Sequence, residues 1–405
     1  GGGAQKTVPI DIAVERADTK FNFSAALGRG PQMRWKESRS FADAWPHQRS
    51  FAFDWGAGSW VAEWLRVRLG SSGIDALWSG RLRAVGCARP EGQMVLDVFW
   101  EYPLSKGKEE RGVLHARFMR LEEKGLIYCR LHIPSPPARP VHVILTCHPG
   151  VYWADKNVEN LVFTPRDHYI NYGFWEGKKY RSQILDERLD PAEWSAMVLG
   201  RRTGRIDLIP MPAAAILVFP PHEVAALRVA GNAHEHRVEV ELKQDKEVFH
   251  FSFGGFDRGS PAKTAKRLQK ETSAILDALA AEWWQTTRPR DVIDMTSMSR
   301  RMNRLFAACA LVGAENDLDL EDSELSLEDR EEGDLPSTLE KSSSLEANTA
   351  QAKKILENWT RLCEKNQPLT DPRALCGLYE EMETLRQIEL RLQAAFLQRI
   401  EKMWR

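Results

Sequence analysis

Residues 111–133 read RGVLHARFMRLEEKGLIYCRLHI, and the alternation in this stretch decides the fold class. Val113, His115, Arg117 and Met119 share one parity, and Leu114, Ala116, Phe118 and Arg120 share the other. A strand turns successive side chains to opposite faces, so two parities of unlike character mark a strand with one covered side. Glu123, Lys124 and Gly125 supply a turn before the second run, LIYCRLHI.

The same pattern extends in both directions. Upstream lie TVPIDIAV, KFNFSAAL, SFAFDW, WVAEWLRVRL and MVLDVFWEY. Downstream lie VHVILTC, AAAILVF, EVAALRV, HEHRVEVELK and EVFHFSFG. Glu91-Gly92 and Ser105-Lys106-Gly107 are further turn signals between them. Short strands with few helices from residue 7 to 255 predict a mainly β fold, a large antiparallel β-sandwich. An α-helical C-terminal region follows it.

Ser260 and Pro261 suit a helix start. Leu268, Ile275, Leu276, Leu279 and Trp283 then fall on one stripe at helical spacing. Residues 292–312 read as a second helix, with Met295, Met298, Met302, Leu305, Phe306 and Cys309 as its apolar face. Ile355, Leu356, Trp359, Leu362 and Cys363 mark a third. Asp371-Pro372 opens a fourth, along which Leu378, Met382, Leu385, Leu392, Phe396 and Met403 recur at near-heptad spacing. The last two read as a hairpin needing another surface: helix 292–312, the sandwich, or a partner. Residues 314–334 carry eleven acids and one base, Arg330, which predicts a solvated linker. Its Gly and Glu miss the offsets of a calcium loop, so no metal is expected there. The expected division is therefore a sandwich over 1–258, packing helices over 259–313, an acidic flexible linker over 314–344 and a helical hairpin over 345–405.

Composition narrows the function classes. The chain has 405 residues and a formal net charge of −1, so no basic field favours nucleic acid. No apolar run reaches the roughly 18–20 residues that span a bilayer. The six cysteines, Cys87, Cys129, Cys147, Cys309, Cys363 and Cys376, form no CxxC pair, which removes the common zinc and thioredoxin-like spacings. There is no GxxxxGK[ST], HExxH, GxSxG or strand-linked GxGxxG. No cofactor is expected. The opening GGGAQKT fits either a removed signal peptide, placing the protein outside the cytoplasm, or an added leader on a cytoplasmic one.

Fourteen tryptophans are the compositional outlier, seven of them in the first hundred residues. Residues 44–60, AWPHQRSFAFDWGAGSW, hold three of them beside His47, Arg49 and Asp54. A second concentration spans 148–176, with His148, Tyr152, Trp153, Asp155, Glu159, Asp167, His168, Tyr169, Tyr172, Trp175 and Glu176. Aromatic faces stack on the C–H face of a sugar, and His, Arg and carboxylates hydrogen-bond its hydroxyls. The candidate binding residues are His47, Arg49, Asp54, Trp55, Trp60, Trp153, His168, Tyr172 and Trp175. The candidates for proton transfer are His148 as general acid, with Asp155 and Glu176. His115, His132, His142, His234, His236 and His250 lie within expected strands and read as structural or surface residues.

Pro46-His47-Gln48-Arg49-Ser50 near the start of a long sandwich resembles the galactose-mutarotase-like supersandwich domains. Leu145-Thr146-Cys147-His148-Pro149-Gly150-Val151-Tyr152 looks like the strand of that family that ends in a catalytic histidine followed by an aromatic residue. The resemblance covers residues 7–255. It implies His148 as general acid, with His47 and Arg49 orienting sugar hydroxyls. It also implies a glutamate base from a late strand, where this chain offers only Glu223 and Glu235 in other surroundings. That departure favours a non-catalytic module of the same fold. The expectation is thus a carbohydrate-binding or carbohydrate-processing sandwich, with a poly- or oligosaccharide as ligand. Two alternatives stand beside it: an assembly protein whose C-terminal helices bind a partner or a second copy, and a hydrolase or lyase using two carboxylates of 148–176.

Overall fold

The structure, a computed structural model, describes residues 12–15, 19–25, 31–37, 60–70, 74–76, 81–93, 95–104, 111–120, 126–133, 140–147, 158–164, 169–172, 174–176, 179–181, 185–203, 215–231, 236–254, 261–311 and 345–404. The strands run in chain order as β1 (Ile12–Glu15), β2 (Thr19–Ala25), β3 (Pro31–Glu37), β4 (Trp60–Leu69), β5 (Ile74–Asp75), β6 (Arg81–Ala88), β7 (Val95–Pro103), β8 (Arg111–Arg120), β9 (Leu126–His132) and β10 (Val141–Cys147). They continue as β11 (Val158–Phe163), β12 (Tyr169–Tyr172), β13 (Phe174–Glu176), β14 (Lys179–Arg181), β15 (Leu185–Leu189), β16 (Ala196–Thr203), β17 (Ala215–Val218), β18 (Val224–Gly231), β19 (His236–Leu242) and β20 (Val248–Gly254). The helices are α1 (Pro191–Trp194), α2 (Pro261–Ala280), α3 (Met295–Leu311), α4 (Leu345–Lys365) and α5 (Pro372–Trp404).

Two large sheets make the sandwich. One has the order β15-β18-β19-β10-β4-β5 and the other β12-β11-β16-β17-β20-β9-β8-β7-β6. Smaller sheets join β1-β2-β3 and β13-β14. The mainly β expectation is met, with the helices after it. Two compact units divide the chain: Gly1–Leu82 with Val98–Glu282, and Arg83–Asp97 with Trp283–Arg405.

In the first unit, parity builds the core. Val143, Leu145 and Cys147 of β10 share a buried face with Val67 and Leu65 of β4 and with Val238 and Val240 of β19. On the larger sheet Phe249, Phe251 and Phe253 of β20 stack along one face, with ring centroids 5.3 and 5.7 Å apart. They lie opposite Leu131, Cys129 and Ile127 of β9. The other face of the six-stranded sheet is charged. Asp186 accepts from Arg228 at 2.6 and 2.7 Å, Glu239 lies 3.6 Å from Arg228 and 3.5 Å from Arg68, and Asp75 accepts from Arg66 at 2.7 Å. The side-chain bond from His142, then the two arginines, hold the Glu239 carboxyl below its ordinary value against burial.

Helix α2 covers part of the larger sheet, packing on β16, β11, β20, β17 and β9. Its buried stripe is Thr264, Ala265, Leu268, Ile275 and Leu279. The helix stops at Ala280, so Trp283 falls beyond the stripe expected of it, and its neighbour Trp284 is the fully buried indole.

In the second unit, α3, α4 and α5 pack on one another. Helix α3 is thus a surface that buries the α4 and α5 stripes. Asp371 caps α5, its Oδ1 accepting from the Arg373 N–H at 2.9 Å with Pro372 first in the helix. Arg301 of α3 donates to both oxygens of Glu389 at 2.9 and 3.3 Å. The stretch Arg83–Asp97 closes this core. The Tyr379 hydroxyl donates to the buried carboxylate of Asp97 at 2.9 Å. Beneath the ring lies Gly86, where a Cβ would come within 2.0 Å of Tyr379 Cε1. Only glycine leaves room for the tyrosine there. Cys87, alongside, is buried, and burial first and then Asp97 push its thiol up to about 12. It is a packing residue and not a nucleophile at neutral pH.

Helix α5 has 33 residues, against 17 in α3 and 21 in α4. Leu378, Met382, Leu385 and Leu392 are buried as expected, but Met403 is 64% exposed because it lies in the final turn.

Candidate functional site

The last residue of the first aromatic segment, Trp60, and the residue before the second, Cys147, lie at one end of the six-stranded sheet. Cys147, the last residue of β10, pairs with Trp60, the first residue of β4. On its other side Cys147 pairs with His236, the first residue of β19. The β10–β4 register shifts between Leu145 and Cys147, since Leu145 pairs with Leu65 but Cys147 with Trp60. Irregularities of this kind bend a strand and re-aim its side chains, and they are common beside binding sites.

His236 is fully buried here, as is Cys147. Its parity is that of Val238, Val240 and Leu242, so the imidazole belongs to the inner face. A neutral imidazole offers one donor and one acceptor nitrogen, a polar contact inside an otherwise apolar layer.

The remaining candidates are spread over other sheets. Tyr172 ends the edge strand β12 opposite Asn160, and Tyr169 pairs with Phe163. Glu159 of β11 lies opposite Arg202. Trp175 and Glu176 of β13 pair with Tyr180 and Lys179 of β14. His47, Arg49, Asp54, Trp55, His148, Tyr152, Trp153, Asp155, Asp167 and His168 lie outside the described residues. Strand pairing thus sets Trp60 beside Cys147, while Tyr172, Trp175 and Glu176 belong to other pairings.

A second polar group occupies the face of the nine-stranded sheet opposite its phenylalanines. His115 pairs with His132 and Arg117 with Arg130, and Arg130 pairs with His250. The edge of β20 is open at His250, because β17 pairs only with Ser252 to Gly254. Glu223 fills the gap. Its Oε2 accepts the His250 backbone N–H and its Oε1 meets Nδ1, both at 2.7 Å. His115 stacks on Phe99 at 4.4 Å with the rings within 5° of parallel. Burial, then Arg130 and His115, lower His132 to about 4 against the weaker pull of Glu247. These groups chiefly stitch the sheet together. Glu223, one of two late glutamates open to a catalytic role, is buried and bound to His250.

No known protein family matches the chain, and no curated protein does either. Among solved structures, the chain is similar to the Slr1438 protein from Synechocystis sp. PCC 6803 at 10% identity, over 64% of this chain and 99% of that one, with a TM-score of 0.33. It is also similar to the galactosidase domain of the α-galactosidase-sucrose kinase AgaSK at 12% identity, over 60% of this chain and 40% of that one, with a TM-score of 0.30. Neither carries a function to this chain.

Among the described residues no group of three or more His, Cys, Asp or Glu could hold a metal ion, and no helix is long and apolar enough to cross a membrane. At the sheet end His236 is structural and buried, one of the two readings its strand position allowed. The signal was its parity in HEHRVEVELK, where it falls in step with Val238 and Val240 and out of step with Glu239 and Glu241.

Proposed function

We propose that this chain is a carbohydrate-binding β-sandwich protein of the mutarotase-like supersandwich type, serving to bind a poly- or oligosaccharide and not to turn it over. The observation that carries this reading is the pairing of Trp60 with Cys147. In sequence, Trp60 ends the stretch that holds His47, Arg49, Asp54 and Trp55, and Cys147 directly precedes His148; on this reading the two stretches form one cleft. Trp55, Trp60 and Trp153 would supply stacking faces, with His168, Tyr172 and Trp175 extending them. His47, Arg49 and Asp54 would hydrogen-bond hydroxyls, with His148, Asp155 and Glu176 as further polar contacts. The engagement of Glu223 with His250 supports binding without turnover.

The test is a thermal-shift screen of the full chain against neutral and acidic oligosaccharides, repeated with Trp55→Ala and His148→Ala. A ligand at about a hundred times its Kd stabilises the native state by about 2.7 kcal/mol, a clear rise in Tm. Both variants are expected to melt like the parent without sugar and to lose that rise. No rise with any glycan sinks the reading.

One observation favours a second reading, in which the C-terminal helices join two copies of the chain. Leu390, Leu397 and Trp404 of α5 recur every seven residues and are 60%, 64% and 88% exposed. Such a stripe is an uncovered apolar line on the helix, and a second copy of α5 offers the same line to cover it. Sedimentation velocity is expected to show a dimer that Leu397→Glu converts to monomer. A parent chain that is monomeric at tens of micromolar removes this reading.

A further inference from the structure

Helix α2 is amphipathic in the ordinary way except at one position. Glu271 lies three residues after Leu268 and four before Ile275, so it falls on the buried stripe that faces the sheet. Its Oε1 accepts from Arg267 Nε at 2.8 Å, one turn back. Its Oε2 is sealed from solvent and has no hydrogen-bond partner among the described residues.

The sheet under α2 carries two matching orphans. Tyr128 of β9 and Ser252 of β20 are directly opposite one another, so their Cβ atoms share a face about 4.5–5.5 Å apart. That face is the one turned away from the phenylalanines, because Ser252 is out of step with Phe251 and Phe253. Both residues are fully buried, and neither hydroxyl finds a partner among the described residues. Burial and the charge of Glu271 both raise the Tyr128 hydroxyl, which puts helix and strand groups in electrostatic reach.

Tyr128 Oη, Ser252 Oγ and Glu271 Oε2 are thus three buried atoms without a partner among the described residues, on elements that pack together, while the Glu271 side chain as a whole is 25% exposed. Each buried polar group left without a bond costs about 1–3 kcal/mol, and native interiors pair more than about nine in ten such groups. A single water answers all three. It can accept the Tyr128 O–H, donate one hydrogen to Glu271 Oε2 and donate the other to Ser252 Oγ. Buried waters characteristically make about three such bonds.

We propose that the α2–sheet interface holds an internal water site built by Tyr128, Ser252 and Glu271. Helix α2 is then joined to β9 and β20 by a hydrogen-bonded hub as well as by its leucines. The site does not depend on the sugar reading and stands or falls separately from it.

A crystal structure of the full chain at high resolution, with the Tyr128→Phe and Tyr128→Phe/Ser252→Ala forms, tests this. The expected result is a water within hydrogen-bond distance of all three atoms in the parent, absent from the double variant. Thermal melting gives an independent readout in solution. With the water present, Tyr128→Phe strips a bond from a buried network and lowers Tm by about 2–4 °C. In a dry site it deletes an unpaired hydroxyl, and Tm stays level or rises. No density between the three groups, a direct Tyr128–Glu271 bond, or a level or raised Tm in Tyr128→Phe would overturn the proposal.

Discussion

Trp359→Ala is expected to destabilise the second unit by about 4 kcal/mol, at the upper end of large-to-small core changes. Two losses combine. The indole is 1% exposed within α4, so its removal leaves a cavity that the three packed helices can only partly close. Its Nε1 also donates to Glu381 Oε2 of α5 at 2.7 Å. Burial raises the Glu381 carboxyl, and the bonds from Trp359 and from Asn358 at 3.4 Å oppose that rise. Without the indole, Glu381 keeps only the weaker donor. Trp359→Phe separates the effects, because it keeps most of the bulk and removes only the donor, at an expected cost of about 1–3 kcal/mol. Urea denaturation followed by helical circular dichroism reads both. A cost below about 1 kcal/mol for Trp359→Ala, the range of ordinary surface changes, would contradict the packing of α4 on α5.

The second large effect is a loss of stability in acid that traces to His132. Its folded pKa of about 4 lies below the ordinary 6.5. Between those values the unfolded chain takes up a proton that the folded chain refuses. Stability from this group is therefore complete above about pH 6.5 and falls as pH drops towards 4. At 1.36 kcal/mol per pH unit, the whole window is worth about 3 kcal/mol. His132→Gln is expected to flatten the stability profile between pH 6.5 and 4 relative to the parent. An unchanged slope would mean that the imidazole is free to charge in the folded sheet. Glu247, at 3.8 Å, is the carboxylate that would then hold the charged ring.

The fold was legible because strand parity is a local property. Phe118 and Ala116 face the core as their alternation requires. The alternation did not reveal that His115, Arg117 and Met119, on the other parity, are covered too. Covering depends on what packs above the sheet, and a strand's own sequence does not contain that. The same limit applies to Glu271, whose burial at Oε2 depends on the packing of α2 on the sheet. The candidate site was legible only in part. The aromatic concentrations were visible in composition, but the contact of Trp60 with Cys147 is set by long-range register, which no local window holds. His236 could have been found from parity alone. Its neighbourhood with Cys147 could not.

The glycine beneath Tyr379 bears on how the molecule is made. Asp97 and Tyr379 are 282 residues apart in sequence. At a ribosome's pace of about 5–20 residues per second, roughly 14–56 s separate the emergence of the two. Through that interval the notch at Gly86 and the carboxylate of Asp97 wait uncovered, and the chain between must be spooled out before they can be closed. Residues 83–97 thus reach their final state only after Tyr379 has been made. A nascent chain of this kind is exposed to misassociation at this hairpin throughout that interval.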